Sequence, residues 1–157
     1  MKVWQRSAPM LVAGLLVTLG VAAGGQTPGA CNEALWKAVW QPRRLQVVDR
    51  CKTVTGTIMA RHANEDGDEH MELKLDPGQE GLLTKANRAK QRGRLVIEAV
   101  CVNKVTQKSA KPACKDYVNQ LQIPQVGDHV RVSGSYVNDR HNGWMEIHPI
   151  SRLELIR

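Results

Sequence analysis

The chain has 157 residues and a net charge of +7, with 22 lysines and arginines against 15 aspartates and glutamates. This length supports one domain with a single core and excludes two domains of ordinary size. The basic balance favours an acidic partner, whether nucleic acid, anionic lipid or cell-wall polymer, without choosing among them. The sequence has neither a Gly-x-Ser-x-Gly elbow nor a phosphate-binding loop, so it offers no motif for nucleophilic or nucleotide-dependent catalysis.

The first 23 residues have the pattern of an export signal. Lys2 and Arg6 form a basic start, residues 10–23 are apolar, and the small residues that a signal peptidase prefers end at Ala23. The apolar run is shorter than the roughly 20 residues that span a bilayer. We therefore predict a signal peptide over residues 1–23 and an exported mature chain, periplasmic or extracellular, without a transmembrane span. An uncleaved anchor is the alternative.

Four cysteines follow the predicted cleavage site, and an even count in an exported chain indicates two disulfide bonds. Three pairings are possible. We favour Cys31 with Cys51 and Cys101 with Cys114, because these pairs close loops of about 20 and 13 residues, each contributing roughly 3 kcal/mol in the chain-entropy model. A structural zinc site is disfavoured because no Cys-x-x-Cys spacing occurs. Lipidation at Cys31 is disfavoured because Pro28 replaces the aliphatic residue of a lipoprotein cleavage box.

Residues 24–44 are predicted to form a linker and a short helix ahead of the main domain. Asn32 is a suitable helix-capping residue, apolar side chains recur four residues apart after it, and Pro42 ends the helix. We interpret this helix as a cover that lies over the domain and is held by Cys31. A partner-binding helix is the alternative.

Two alternating segments open the main domain, residues 45–157, and predict a β-hairpin. Residues 45–61 are rich in β-branched side chains and include Gly56, which indicates a bend or bulge in the middle of the strand. Residues 70–76 alternate apolar and polar side chains after an Asp-Gly turn.

Residues 77–94 change character, because they are rich in basic residues and hold too few apolar ones to bury a helix. We predict an exposed, mobile loop that carries a basic patch of Lys85, Arg88, Lys90, Arg92 and Arg94.

The rest of the chain supplies three more strands. Residues 95–102 are apolar on both alternations, which is typical of a central strand covered on both sides. Residues 112–119 can form a short helix with proline in its first turn. Residues 123–137 and 144–150 alternate around a turn that ends in Asn-Gly, and predict a long hairpin that continues into the C-terminal tail.

This order predicts a mainly β fold, a five-stranded OB-fold-like Greek-key barrel with a short helix between strands 3 and 4 and an N-terminal helix tied on by a disulfide. Three stretches resemble a group of small exported bacterial and archaeal OB-fold proteins, largely uncharacterised: Val54-Thr-Gly-Thr-Ile58, Lys74-Leu-Asp-Pro77 and residues 134–149, of which Gly143-Trp-Met-Glu-Ile-His-Pro149 is the sharpest element. The resemblance covers about residues 31–151. It implies a fold and export, and it implies no reaction.

The last hairpin is where we predict a ligand site. By simple alternation an aromatic ring, a carboxylate and an imidazole share one face of the last strand, while Met145 and Ile147 face the core. Outward residues of the preceding strand are expected close by in an antiparallel pairing. The predicted ligand-binding set is Trp144, Glu146, His148, His129, Arg131, Arg61 and Lys74. A purely structural role for the last-strand residues is the alternative.

The turn that contains Asp66 and Asp68 could hold a divalent cation, but its spacing departs from an EF-hand loop, so we favour a solvated hairpin tip. The Asp-Gly-Asp sequence also resembles thermonuclease-type OB enzymes, in which such a turn helps to bind a catalytic calcium ion. No matching downstream cluster of arginine and carboxylates is evident.

We therefore predict an exported, disulfide-stabilised binding module with no cofactor and an acidic ligand such as an oligonucleotide or anionic polymer. A binding role is favoured over an enzymatic one. Phosphate neutralisation by the basic residues would supply affinity for nucleic acid, although the few aromatic residues argue against a single-strand binder. The alternatives are a divalent-metal-dependent nuclease and an accessory domain of an envelope assembly.

Overall fold

The computed structural model describes Met1 and residues 31–156, and the strands in this part of the chain form a closed barrel. The strands are β1 (Leu45–Ala63), β2 (Glu69–Leu75), β3 (Leu95–Ala99), β4 (His129–Asp139) and β5 (Met145–Leu155). Their order around the barrel is β1-β2-β3-β5-β4, and β4 pairs with β1 to close it. The prediction of a mainly β, five-stranded fold is confirmed. The predicted signal peptide, residues 1–23, lies outside the described residues apart from Met1.

β1 is long enough to pair with β2 on one side and β4 on the other. Gly56 lies where the two pairings overlap, opposite both Leu75 and Val130. A Cβ atom at this position would come 2.3 Å from the carbonyl oxygen of Lys74, so only glycine permits the close approach of β2. The register shifts just beyond it, between Ile58 and Ala60, which matches the irregularity predicted for the middle of this strand.

The apolar side chains form two clusters. The larger cluster fills the barrel and includes Met145 and Ile147, which are buried as predicted. The smaller cluster lies outside the barrel, where the N-terminal segment packs against the end of β3; its members are Leu35, Ala38, Val39, Leu45, Val100, Cys101 and Val137. The N-terminal segment therefore covers one side of the barrel, as predicted.

The helical segments are shorter than predicted. The N-terminal one is a 3-10 helix, Glu33–Ala38, whose cap Asn32 accepts a hydrogen bond from the backbone N–H of Ala34. Between β3 and β4, a 3-10 turn (Lys108–Ala110) leads into α2 (Lys111–Cys114). No helix in the described part of the chain has the length and apolar character needed to cross a membrane.

Both disulfide bonds have the predicted partners. Cys31 is bonded to Cys51, which links the start of the N-terminal segment to β1. Cys101 is bonded to Cys114, which ties α2 to the end of β3. Two disulfides are typical of a protein that matures in a non-reducing compartment.

The predicted basic loop is wrong as a description of residues 80–90. These residues form a 3-10 turn (Glu80–Leu82) and then α1 (Lys85–Lys90), capped by the side chain of Thr84. The helix is held by a polar side chain rather than an apolar face, since Asn87 is fully buried and its amide donates to the carbonyl oxygens of Arg94 and Met145. Hydrophobic patterning does not detect an anchor of this kind.

Two of the five side chains in the predicted basic patch form ion pairs instead of standing alone in solvent. Arg92 and Arg94 each form an ion pair with Glu72, with N–O distances of 2.6 Å. Burial opposes ionisation of Glu72, but the two guanidinium groups outweigh it and lower the pKa of this carboxyl below 4.5. Its contribution to stability is therefore present above about pH 4.5 and is lost as the pH falls through the lowered value.

We expect the double substitution Arg92→Gln and Arg94→Gln to lower the free energy of unfolding by about 1 kcal/mol, since Glu72 then loses both partners in a partly buried position. Chemical denaturation at pH 7 measures this loss. The matched control is Lys85→Gln with Lys108→Gln, which removes the same charge from exposed positions. Equal effects of the two double variants would show that the Glu72 pairs contribute nothing specific.

Candidate functional site

An open pocket of about 620 Å³ lies beside the barrel, between the N-terminal segment, the β1–β2 turn and the β4–β5 turn. Its wall contains two half-buried tryptophans, Trp40 and Trp144. The ionisable residues in the wall are six carboxylates, one arginine and three histidines: Glu65, Asp66, Glu72, Glu98, Asp139, Glu146, Arg44, His62, His70 and His141. Carboxylates dominate this lining, so we name it the acidic pocket.

A buried charge cluster forms the floor of the acidic pocket. It consists of Asp68, Glu98, Glu146 and His148, each at most 4% exposed. The Nδ1 atom of His148 lies 2.8 Å from Glu98 Oε2 and 3.2 Å from Glu146 Oε2. Its Nε2 atom lies 3.5 Å from Asp68 Oδ2. One imidazole thus faces three carboxylates out of contact with solvent.

Strand pairing brings these residues together. β3 and β5 run parallel, with Val96 opposite Glu146 and Ile97 opposite Ile147, so the side chains of Glu98 and His148 come into contact beyond that register. Asp68 comes from the β1–β2 turn, and its Oδ1 atom accepts a hydrogen bond of 2.9 Å from the backbone N–H of Cys101. Three distant parts of the sequence therefore meet at one point.

Charge balance within the cluster shifts the pKa of its members. Burial opposes ionisation of Glu98, but the charge of His148 and the hydrogen bond with His70 outweigh it and hold the pKa of this carboxyl far below its usual range. Burial likewise opposes the charged form of His148. The charge of Glu98 and the contacts with Asp68 and Glu146 outweigh that effect and raise the pKa of the imidazole well above 6.5. The ring therefore acts as the counter-charge of the carboxylates at neutral pH.

A second layer of polar contacts surrounds the cluster. His70 shares a hydrogen bond of 2.8 Å with Glu98 Oε1, and this contact raises the pKa of the His70 imidazole although burial opposes it. Arg44 pairs with Asp139 at short range and lies 3.9 Å from Glu98 Oε2. Burial first, and then the nearby charge of Asp68, raise the pKa of the Asp66 carboxyl. The wall thus combines paired charges with one carboxyl, that of Asp66, whose charged form is disfavoured.

Part of the predicted ligand-binding set meets in this region. The Nε1–H of Trp144 donates a hydrogen bond to Glu146 Oε1, and Glu146 Oε2 accepts one from Nδ1 of His148. Trp144 and Glu146 line the acidic pocket, whereas His148 is fully buried beneath it. These residues share one face of β5 as predicted, and along that face the side chains pass from half-buried Trp144 at the pocket to fully buried His148.

The remaining members of the predicted set lie elsewhere. His129 pairs with Asp76, and Arg131 pairs with Glu154, opposite the C-terminal end of β5. The expectation that they lie close to Trp144 and His148 is wrong, because the tight β4–β5 turn places Val137 opposite Glu146. The other two are also outside the pocket lining: Arg61 pairs with Glu69 at 2.6 Å, and Lys74 lies opposite Thr57.

The Asp66–Asp68 turn is not the solvated tip that its sequence suggests. Asp66 is 8% exposed and Asp68 is 2% exposed. The turn folds over the end of β3, where Gly67 accepts a hydrogen bond of 2.7 Å from the backbone N–H of Asn103. This contact, together with the bond from Cys101 to Asp68, explains why a sequence of turn-forming residues becomes buried.

Sequence reasoning missed the residues that dominate the site, namely Glu98, His70, Arg44 and Asp139. One signal was present, because Glu98 is the single charged residue within the apolar strand β3. A lone carboxylate in a strand covered on both sides has to meet a partner, and that partner is a candidate site residue. Nothing in the local sequence marks Arg44 or Asp139.

No protein-family model matches the chain, and a search of curated proteins finds no match.

Proposed function

We propose that the protein is an exported binding module with an OB-fold-like Greek-key barrel, and that the acidic pocket is its ligand site. The strand order β1-β2-β3-β5-β4 in a closed barrel supports the finer fold assignment. Two disulfides support export. The pocket volume of about 620 Å³ is within the range that binds small molecules.

The single observation that carries the ligand class is the combination of carboxylates and tryptophans in one wall. Ammonium groups are bound by carboxylates through charge-assisted hydrogen bonds and by tryptophan faces through cation–π attraction. Trp40 and Trp144 supply the faces, and Asp66 and Glu146 are among the carboxylates of the lining. The pocket therefore favours a small organic cation with a primary ammonium group.

The predicted acidic ligand remains a second proposal, restricted to the outer surface. Arg131 and Arg61 are paired with acidic side chains, and Arg92 and Arg94 share Glu72. Lys85, Arg88 and Lys90 remain exposed on α1 and could contact phosphates. The nuclease alternative receives less support, because the basic side chains expected to contact phosphates, Arg61, Lys74 and Arg131, lie outside the acidic pocket.

We expect calorimetry to detect binding of putrescine, and no binding of the neutral analogue 1,4-butanediol. Trp144→Ala should weaken putrescine binding by about tenfold, because a desolvated cation–π contact is worth up to about 2 kcal/mol. Arg131→Gln is the control and should leave the affinity unchanged, since Arg131 lies on β4 opposite Glu154, at the end of β5 that is far from the pocket. Equal binding of the diol, or an unaffected Trp144→Ala variant, would contradict an ammonium site in this pocket.

A further inference from the structure

Three buried atoms in the described part of the chain have no partner in hydrogen-bonding geometry, and all three belong to the buried charge cluster, where only ion-pair contacts reach them. They are Asp68 Oδ2, Glu98 Oε2 and His148 Nε2. Buried polar atoms are almost always hydrogen-bonded, because leaving one unsatisfied costs about 1–3 kcal/mol. Three such atoms on neighbouring side chains therefore indicate a group that they bind in common.

The arrangement of these side chains suits a metal ion. One ligand atom from each of Asp68, Glu98 and His148 lies within 4.8 Å of the others. Three ligand atoms that each bind one tetrahedral metal ion at about 2.1 Å stand about 3.4 Å apart, so the widest pair has to close by at most about 1.4 Å when the ion binds. Asp68 Oδ2 and His148 Nε2 already face each other at 3.5 Å without a hydrogen bond.

The opposite atom of each side chain is anchored. His148 Nδ1 is hydrogen-bonded to Glu146, Asp68 Oδ1 accepts from the backbone of Cys101, and Glu98 Oε1 is hydrogen-bonded to His70. Metal-binding histidines almost always donate their second ring N–H to such a partner, which fixes the ring orientation. These contacts hold the three candidate ligands in place, and a bound ion would replace the ion pairs that Asp68 Oδ2 and Glu98 Oε2 now make with the imidazole.

We propose that Asp68, Glu98 and His148 bind a divalent first-row transition metal, such as Mn²⁺ or Zn²⁺, at the floor of the acidic pocket. One imidazole nitrogen with two carboxylate oxygens favours these ions over Ca²⁺ and Mg²⁺, which prefer oxygen alone. The ion takes the place of the Nε2 proton of His148, which is released to solvent on binding, so the affinity should fall as the pH is lowered. The sulfur atoms of Cys101 and Cys114 also lie near Asp68, but their disulfide removes them as thiolate ligands. This inference goes beyond the ammonium site and does not depend on it, although Glu98 borders both.

The test uses the full exported chain, treated with EDTA and dialysed, and titrated with Mn²⁺ and Zn²⁺ in a calorimeter. We expect one equivalent to bind. Asp68→Asn should weaken binding by at least about a hundredfold, since loss of even an outer-shell partner weakens metal sites by 10–100-fold. The matched control is Asp66→Asn, which removes a carboxylate of the same turn from outside the ligand set and should change the affinity by less than about tenfold.

Spectroscopy of the parent protein keeps the test decisive if Asp68→Asn fails to fold. Pulsed electron paramagnetic resonance of bound Mn²⁺ should show coupling to one histidine nitrogen. Absence of that coupling, absence of binding by the parent, or equal binding by the two aspartate variants would overturn the proposal. Trp40→Ala separates the two sites: Trp40 lines the pocket but is not part of the Trp144–Glu146–His148 hydrogen bonds, so its removal should weaken putrescine binding and leave Mn²⁺ binding unchanged.

Discussion

Replacing His148 with alanine is expected to lower the free energy of unfolding by about 3–5 kcal/mol in metal-free buffer at neutral pH. The imidazole is fully buried and faces Asp68, Glu98 and Glu146, so its removal leaves three carboxylates without their central counter-charge. Removing one partner of a buried ion pair is costly for this reason, whereas exposed pairs contribute little. Urea denaturation followed by circular dichroism measures the change.

The control for this prediction is His129→Ala, which removes an exposed imidazole paired with Asp76 and should change stability by less than about 0.5 kcal/mol. Adding Glu98→Gln to the His148→Ala variant should restore part of the loss, because one of the opposing carboxylates becomes neutral. A His148→Ala loss as small as that of His129→Ala would show that the cluster needs no counter-charge.

Ile147→Ala is expected to lower the free energy of unfolding by about 2–5 kcal/mol. Ile147 is completely buried in the barrel core, one position from His148 but on the opposite face of β5. Truncation removes apolar contacts and leaves a cavity in a closed barrel that has little room to collapse. Thermal and urea denaturation both report the loss, and putrescine and Mn²⁺ binding by the folded fraction should be retained.

Leu155→Ala is the matched control, because Leu155 lies at the end of the same strand and is 64% exposed. Its loss should stay within about 0.5 kcal/mol. If the two truncations prove equally mild, the alternation assigned to β5 does not distinguish core from surface.

The strands could be predicted because the signals for a strand lie within its own sequence. β-branched residues, period-two alternation and an Asn-Gly turn mark β4 and β5, and the even cysteine count with short spacings marks the disulfides. Helix boundaries were less accurate. The predicted helix from Asn32 to Gln41 is only a 3-10 helix, Glu33–Ala38, and its buried residues Leu35 and Ala38 belong to the smaller apolar cluster.

The site was harder to predict because it depends on register rather than on local pattern. The positions of His129 and Arg131 follow from how far each lies from the β4–β5 turn, and counting from that turn would have placed them away from Glu146. Glu98 and His148 meet through a parallel pairing of strands that are distant in sequence, and no local signal encodes such a pairing. Alternation assigned His148 to the correct face but could not show that this face is buried.

The parallel seam between β3 and β5 has a kinetic consequence. Only two residue pairs define it, Val96 with Glu146 and Ile97 with Ile147, whereas β4 pairs with its neighbours over most of its length. Glu98 and His148 stand on opposite sides of this short seam, so parting the two strands would separate them. An ion bound between them would hold the seam shut, because it binds the closed barrel and not the parted strands. The seam would then open less often when the ion is bound, and hydrogen exchange of its backbone amides would slow.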